Sequence, residues 1–560
     1  MLSTLKKMLS KKIEEKGTLK VQNEAFNDVS LCAENDKLTF KGCNLSALPI
    51  SELSDIQPRD GSFTFICDNK KFWFESKKNT ELFRILKQLV PSRTIFNSNR
   101  IVYYVYNTEN RKFELYDQPC EAKIVHDSEY YLRIEDEASI QHYEQINTNT
   151  QYYMDQSNHS FVWSVYNKGM FHTFCIEFED HINFLEFVSK YTECCYKSVN
   201  EGDQFKYFEN MAVMNPVQSQ QDTNIPEDKE EEWMEFEDEK PKDTEFNRDT
   251  KANEHLVIGN DLVFVTRGSS LGVFDTQQND LKFRTHIQKV LNDPQKIITH
   301  NQNQSLLVLD RGQRDKLQVL DLNKGEVVEK WDIKEEMNDY FDSVKYNNEG
   351  TLVGMTDHSL FRIDPRMKDK VAEKNTYKTK NEFSCGIATE TGDVAVASRK
   401  GDLRLYNKID KRAKSLLPGF GDEILGIDSS KDGTMILCTC KNYILVFAAT
   451  SDYSKSIGKN KPTPKRLQLK PQHLSLIKDE VSFIPAKFDQ DDTMIVTSTG
   501  RFVVKWRVKD VKAGNLYDYS LKALYDVIVD ENFVFKGEDI IVALPNDVKK
   551  VTEQELRRPK

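Results

Sequence analysis

LVFVTRGSSLGVFDT, residues 262–276, carries the pattern that decides the fold: an apolar β-rich strand, a polar turn containing Gly, and a second strand. The pattern returns as LLVLDRGQRDKLQVLDL from Leu306, LVGMTDHSLFRIDP from Leu352, DVAVASRKGDLRLYN from Asp393, MILCTCKNYILVF from Met435 and MIVTSTGRFVVKWRV from Met494. The first five copies begin about 41–46 residues apart, the period of a four-stranded propeller blade. No hairpin of this kind buries its own apolar face, so the copies must stack into a common core. Asp321 to Gly325, Lys431 to Gly433 and Arg399 to Asp402 read as the hairpin turns. YDVIVDENFVFKGEDIIVALP, from Tyr525, supplies strands of a further unit, and its IIVALP is expected to pair with the first blade and latch the ring. Seven blades fit best. The longer gap before Met494 holds GKNKPTPKRLQLKP, expected to be an exposed basic loop with a partner of its own.

A chain of 560 residues is too long for one core. Charged residues make up 30% and the formal charge is −11, which argues against generic nucleic-acid affinity. Ten cysteines show no paired spacing, since Cys194 and Cys195 are adjacent and no CxxC occurs. That spacing disfavours zinc and fits buried thiols in a reducing compartment. No apolar run approaches the roughly 20 residues of a membrane span, and no signal-peptide pattern opens the chain. A cytoplasmic protein is expected.

Residues 1–16 read as a basic amphipathic helix capped by Gly17. Leu2, Leu5, Leu9 and Ile13 sit on one side; Lys6, Lys7, Lys11 and Lys12, the candidate membrane-surface residues, sit largely on the other. Two segments then share one plan. In 17–95, strands such as LTFKG and SFTFICDNKKFWFES precede the helical stretch NTELFRILKQLV, with Leu82, Phe83, Leu86 and Leu89 as its stripe. In 96–212, five strands from IVYYVYN to MFHTFCIEFED precede HINFLEFVSKYTECCYKSV. Antiparallel strands closed by one C-terminal amphipathic helix resemble a pleckstrin-homology-like domain. Neither segment gathers the converging Lys and Arg that a phosphoinositide site needs, and Trp73 and Trp163 read as core.

Residues 213–253 form an acidic linker, expected to be disordered. Thirteen acids against five bases between 215 and 253 leave −8 of the chain's −11. Within it EEEWMEFEDE interrupts the acids with Trp233, Met234 and Phe236, the candidate partner-docking residues. They either dock a partner or tuck back on the chain's own domains.

Catalysis has little to stand on. G-x-S-x-G, HExxH, P-loop and G-x-G-x-x-G motifs are absent. The ten histidines are scattered, with His286 and His300 flanking a structural strand. Asp310, Asp364 and Asp432 are the acids that could meet at a propeller axis, yet each sits at a strand end or turn. No catalytic residue, cofactor or metal is expected.

SLFRIDPR (Ser359 to Arg366), DVAVASRKGDLRLYN, GDEILGIDSSKDGTMILCTCKNYILVF (Gly421 to Phe447), SFIPAKF (Ser482 to Phe488), MIVTSTGRFVVKW (Met494 to Trp506) and IIVALPNDV (Ile540 to Val548) resemble, in this order, the C-terminal domain of the vacuolar import and degradation family, and within it the twenty-seventh-numbered type. RGSSLGVF from Arg267 and LDLNKGEVVEKWDI extend the resemblance through most of 262–548. It implies an N-terminal pleckstrin-homology-like module, an acidic linker, and a cytoplasmic protein needed for vacuole-directed degradation of a gluconeogenic enzyme when glucose returns. It implies no catalytic residues. The expected protein is mainly β: a β-propeller over 254–548, one or two pleckstrin-homology-like α+β domains before it, and a tail at 549–560. The expected role is a monomeric non-catalytic scaffold for protein partners. The alternative is a peripheral adaptor on anionic vesicle or vacuolar membranes, using the first helix and one pleckstrin-homology-like domain.

Overall fold

The computed structural model describes residues 13–200 and 245–559 apart from short gaps, the longest at 77–81, 87–92, 277–280, 346–349 and 534–538. The first sheet runs β1 (Ile13–Val21), β2 (Glu24–Glu34), β3 (Lys37–Lys41), β4 (Leu48–Pro49), β5 (Ser54–Arg59), β6 (Ser62–Cys67) and β7 (Lys70–Glu75). Its spatial order is β4-β3-β2-β1-β7-β6-β5. Phe63, Phe65, Phe72 and Phe74 pack its interior with Leu82 and Leu86, which lie in helical backbone.

Ile13–Lys16 is therefore strand, not the last turn of a helix. Ile13 to Gly17 pair with Ala33 to Val29, and this long-range ladder overrides a weak local helix preference. Gly17 is not a helix cap. A Cβ there would lie 2.1 Å from the Glu75 carbonyl oxygen, so only glycine lets β1 approach β7. Lys6, Lys7, Lys11 and Lys12 lie outside the described residues.

The second sheet repeats the first. It comprises β8 (Arg93–Asn107), β9 (Lys112–Leu115), β10 (Cys120–Asp127), β11 (Glu129–Glu135), β12 (Ile140–Gln145), β13 (Gln151–Asp155), β14 (Ser160–Asn167) and β15 (Met170–Phe178). Its order, β12-β11-β10-β8-β15-β14-β13, matches the first strand for strand, with β9 added on β8. Helix α1 (His181–Val199) follows and buries Phe184, Phe187, Val188 and Tyr191. Its N-terminus is held by Asp180, whose carboxylate accepts the Asn183 N–H at 2.8 Å. Trp163 is buried, whereas Trp73 is half-buried with the Lys20 ammonium 5.3 Å from its ring centroid.

The chain divides into two compact units. One holds residues up to 105, 114–148 and 176–198; the other holds 106–113, 149–175 and 199–560. In the second unit, from Asn253 onward, seven antiparallel sheets follow one another, six of four strands and one of three. The quoted hairpins are the two middle strands of the first six. Strands such as Ser305–Asp310 and Met494–Thr499 are buried at every position. Each sheet packs on a neighbour through both faces, which is why these strands read as continuous apolar runs rather than alternating ones. The outermost strands, such as Val371–Thr376, are mostly exposed and lack that signal. The expected turns are present: the Asp321 carboxylate accepts the Asn323 N–H at 2.9 Å, and Gly325, Gly401 and Gly433 have φ of 69°, 80° and 69°.

Three expectations need correction here. IIVALP does not pair with the first sheet. Ile540–Leu544 pairs within its own sheet with Asp530–Phe533 and Asp547–Val551, because the chain reverses at Pro545-Asn546. The ring closes instead through one backbone bond and a set of side chains. Asn253 donates from its backbone N–H to Pro545 O at 2.9 Å and from Nδ2 to Leu544 O at 2.7 Å. The buried Arg267 guanidinium donates to Pro545 O at 2.8 Å and to Asn546 Oδ1 at 3.0 Å. Residues 549–559 are not a tail outside the propeller either, since Leu521 and Arg557 form a bridge and Val551 and Leu556 are buried. Finally, the C-terminal half of GKNKPTPKRLQLKP is not exposed loop. Lys465–Leu467 is the outer strand of the fifth sheet, and Arg466, Leu467, Gln468 and Leu469 are buried.

The second unit also seats the hairpin of residues 149–175. Ser164 Oγ and Thr173 Oγ1 donate to Pro471 O at 3.0 and 2.9 Å, at the start of helix α2 (Pro471–Leu474). Gln472 donates to the Tyr153 hydroxyl at 2.6 Å, and Phe171 joins the apolar cluster of Leu469, Leu474 and Trp506. The linker is anchored where it meets the ring. Glu245–Arg248 forms a single 3₁₀ turn and buries Phe246, so this stretch is ordered rather than spacer. No helix among the described residues is long and apolar enough to cross a membrane.

Candidate functional site

The innermost strands of the seven sheets surround a channel of about 710 Å³. Lysines and aspartates line it, and they come in pairs. Asp339, on the inner strand of the third sheet, receives the Lys296 ammonium from the second at 2.6 Å. Its other oxygen accepts the Gly386 N–H of the fourth sheet at 3.1 Å. Asp428, in the fifth, holds Lys345 at 2.8 Å and accepts the Phe488 N–H of the sixth at 2.8 Å. Asp530, in the seventh, faces Lys487 of the sixth at 3.4 Å and accepts the Leu256 N–H of the first at 2.8 Å. Each aspartate thus staples one sheet to a lysine from an earlier sheet and to the backbone of the next. Neutral groups add to the seams: Gln295 donates to Asn338 O at 2.8 Å beside the Lys296–Asp339 pair, and Ser384 donates to Ile424 O at 2.8 Å where no aspartate stands.

Burial sets the electrostatics. It works most strongly against the Lys487 ammonium, but the surrounding carboxylates, Asp530 foremost, together outweigh it and the pKa rises. Glu531 points away from the channel into the seam between the sixth and seventh sheets. It is fully buried, with the Ser498 hydroxyl of the sixth sheet beside it. Burial pushes its pKa up to about 8, against the pull of Lys487, so the carboxyl is neutral at pH 7. The ten cysteines are free and nine are buried. Burial raises the thiols of Cys194, Cys385 and Cys440 to about 12, which removes them as nucleophiles at neutral pH.

Asp310, Asp364 and Asp432 do not meet. Asp310 accepts the Gly312 N–H of its own turn at 2.9 Å, Asp364 pairs with Arg366 at 2.8 Å, and Asp432 bonds Ser430 and Thr434. His286 stacks near Phe283, and His300 meets Trp331 edge to face. Trp233, Met234 and Phe236 lie outside the described residues. The staples Asp339, Asp428 and Asp530 were missed. Only Asp428 carries a sequence signal, an Asp inside the otherwise apolar or small strand GIDS; Asp339 and Asp530 open DYFD and DENF, which hold further polar residues.

Around one rim of the channel, the turn between second and third strands repeatedly offers a base to the acid of a loop entering an inner strand. Arg311 meets Asp293 at 2.6 Å, Lys400 meets Glu382 at 2.9 Å, and Lys441 meets Glu480 at 2.8 Å. Each exposed pair contributes at most about 1 kcal/mol. Together they leave that rim close to neutral.

Stacked sheets around a self-neutralised channel, preceded by pleckstrin-homology-like strand order, define a WD40-type propeller protein, a class built for protein interaction as a rule. Comparison with known families agrees. Residues 251–560 match the VID27 C-terminal WD40-like domain, and residues 95–198 match the VID27 PH-like domain. This chain belongs to the VID27 family. Over 377 residues it is 36% identical to Vacuolar import and degradation protein 27 of Schizosaccharomyces pombe, covering 59% of this chain and 47% of that one. Against the Saccharomyces cerevisiae protein of the same name it is 30% identical over 350 residues, covering 55% and 45%. The chain thus spans about half the length of the curated relatives it matches. Among solved structures, the C-terminal WD40 domain of Sif2 aligns at TM-score 0.39 and 12% identity, covering 55% of this chain and 82% of that one. The β-propeller domain of Myceliophteria thermophila Cps50 (Swd1) aligns at 0.43 and 10%, covering 54% and 98%.

Proposed function

We propose that this chain is a non-catalytic scaffold in vacuole-directed protein degradation, holding protein partners on the outer surfaces of its propeller. The observation that carries the reading is the channel. Where a propeller enzyme would keep free acids or bases, Asp339, Asp428 and Asp530 are each committed to a lysine and a backbone N–H. The name of the relatives, Vacuolar import and degradation protein 27, supplies the process. Seven blades, a second pleckstrin-homology-like domain over 17–95 and a cytoplasmic location belong to the same proposal. In support of the second domain, β1–β7 share the strand order of the sheet inside the matched domain.

Proximity labelling with the full chain tests it. Enrichment of vacuolar-trafficking and degradation factors over a folded, unrelated propeller supports the scaffold role. A labelled set indistinguishable from that control contradicts it.

A further inference from the structure

Not every cation of the propeller is paired. The loop joining Asp402–Tyr406 to Ser415–Pro418, the third and outermost strands of the fourth sheet, carries Lys408, Lys411, Arg412 and Lys414, all exposed, with Asp410 as its one acid. The Ile457 N–H donates to Ser415 Oγ at 3.0 Å, which brings the corresponding loop of the fifth sheet, with exposed Lys455, against it. Among the described residues, none of these five cations has an ion-pair partner. The bases at the turns, by contrast, meet acids at 2.6–2.9 Å.

The same chain holds a segment of opposite charge. Residues 227–239, EDKEEEWMEFEDE, contain nine acids and one lysine. Both ends of the stretch that contains it are fixed on the propeller. At one end Asn200 Nδ2 donates to Phe420 O at 3.0 Å, just past the strand Ser415–Pro418 whose other end is the basic loop. A four-residue strand is roughly 13 Å long. At the other end Phe246 lies between the rings of Phe274 and Phe283 in the first sheet, 6.0 and 6.3 Å away. The intervening stretch, 201–244, is 44 residues long, and a chain reaches at most about 3.3–3.6 Å per residue. It leaves the propeller within about one strand length of the unpaired cations, so the effective concentration of acid at that rim reaches the millimolar range.

We propose that the basic rim formed by Lys408, Lys411, Arg412, Lys414 and Lys455 is a docking surface for an acidic peptide, and that its resident occupant is the chain's own segment 227–239. The five cations supply the charge. Trp233, Met234 and Phe236 add apolar contact alongside the aliphatic stems of the lysines. A partner that recognises either element has to compete with this contact. The inference goes beyond the scaffold reading and does not depend on which pathway the protein serves.

Zero-length carbodiimide cross-linking of the full chain, read by mass spectrometry, tests it. Carboxylates of 227–239 are expected to link to Lys408, Lys411, Lys414 or Lys455 at least ten times more often than to the exposed lysines Lys378 and Lys380. That preference falls about tenfold at about 0.5 M salt, where screening shortens to roughly 4 Å. Lys408/Lys411/Arg412/Lys414→Glu abolishes it, and so, with the propeller untouched, does Glu230/Glu231/Glu232/Glu235/Glu237→Gln. Links spread evenly over surface lysines overturn the proposal. So does a rim that binds phosphatidylserine vesicles or duplex DNA while the acidic segment stays unlinked, because lipid or nucleic acid is then the occupant.

Discussion

The channel and the outer rim of the propeller use the same charged residue types to opposite ends. In the channel, Lys296, Lys345 and Lys487 each face an aspartate on another sheet. On the rim, Lys408, Lys411, Arg412 and Lys414 share one loop with a single acid, Asp410, and form no ion pair among the described residues. A lysine whose acid is supplied by the fold is a structural element, and its mutation is felt as lost stability. A lysine left without one is available to a partner, and its mutation is felt as lost binding. The number of charges in a region therefore says less about function than whether the fold has already neutralised them.

The largest effect should come from breaking a staple. Asp428→Ala strands the Lys345 ammonium, which is nearly buried, and leaves the Phe488 N–H without its acceptor. A loss of about 3–5 kcal/mol is expected in chemical denaturation. A loss under about 1 kcal/mol would mean that the channel pairs are incidental. Phe246→Ala comes next. It empties a site packed against Gly272, Phe274 and Phe283, and should cost about 3 kcal/mol. Unchanged stability would show that the end of the linker is not anchored.

Glu531 gives a pH signature. Its folded pKa, about 8, lies above the usual glutamate value of 4.5. Its contribution to stability is thus complete below about pH 4.5 and is lost progressively as pH rises towards 8. Glu531→Gln removes that slope and should raise stability at pH 8 by up to about 4 kcal/mol. A variant whose pH profile parallels the native one would place the charge elsewhere. The smallest effect on stability belongs to Lys408/Lys411/Arg412/Lys414→Glu, expected within about 0.5 kcal/mol of the native protein. A fall comparable to that of Asp428→Ala would erase the distinction between rim and channel.

The hairpins were legible because sheets packed on both faces need unbroken apolar strands, and LLVLD and MILCT state that need directly. The shared plan of the two N-terminal sheets was legible for a related reason: each ends in aromatic strands such as KFWFE, followed in the sequence by an apolar stripe at helical spacing. Three features were not legible. The outer strands, such as VAEKNT, are solvent-facing and carry no hydrophobic pattern. The fate of Ile13–Lys16 depends on a partner strand and on close approach to Glu75, which local periodicity does not encode. The staples pair residues 43 or more positions apart, as Lys296 with Asp339 and Lys345 with Asp428, and only the closed ring brings them together. Turn aspartates such as Asp310 and Asp432 were recognisable as local hydrogen-bonding residues, and that is the role they fill.

The most direct test of the central claim is a comparison of partner sets by quantitative proximity labelling in the full chain. One variant replaces a channel pair with apolar residues, Lys296→Met with Asp339→Leu, a swap that keeps a packed seam and often leaves stability near neutral. The other is the four-fold charge reversal of the rim, and the folding of both is verified by thermal denaturation. The account predicts that the channel variant keeps the native partner set and the rim variant changes it. A folded channel variant that loses its partners while the rim variant keeps them would contradict it, and would move the functional site into the channel.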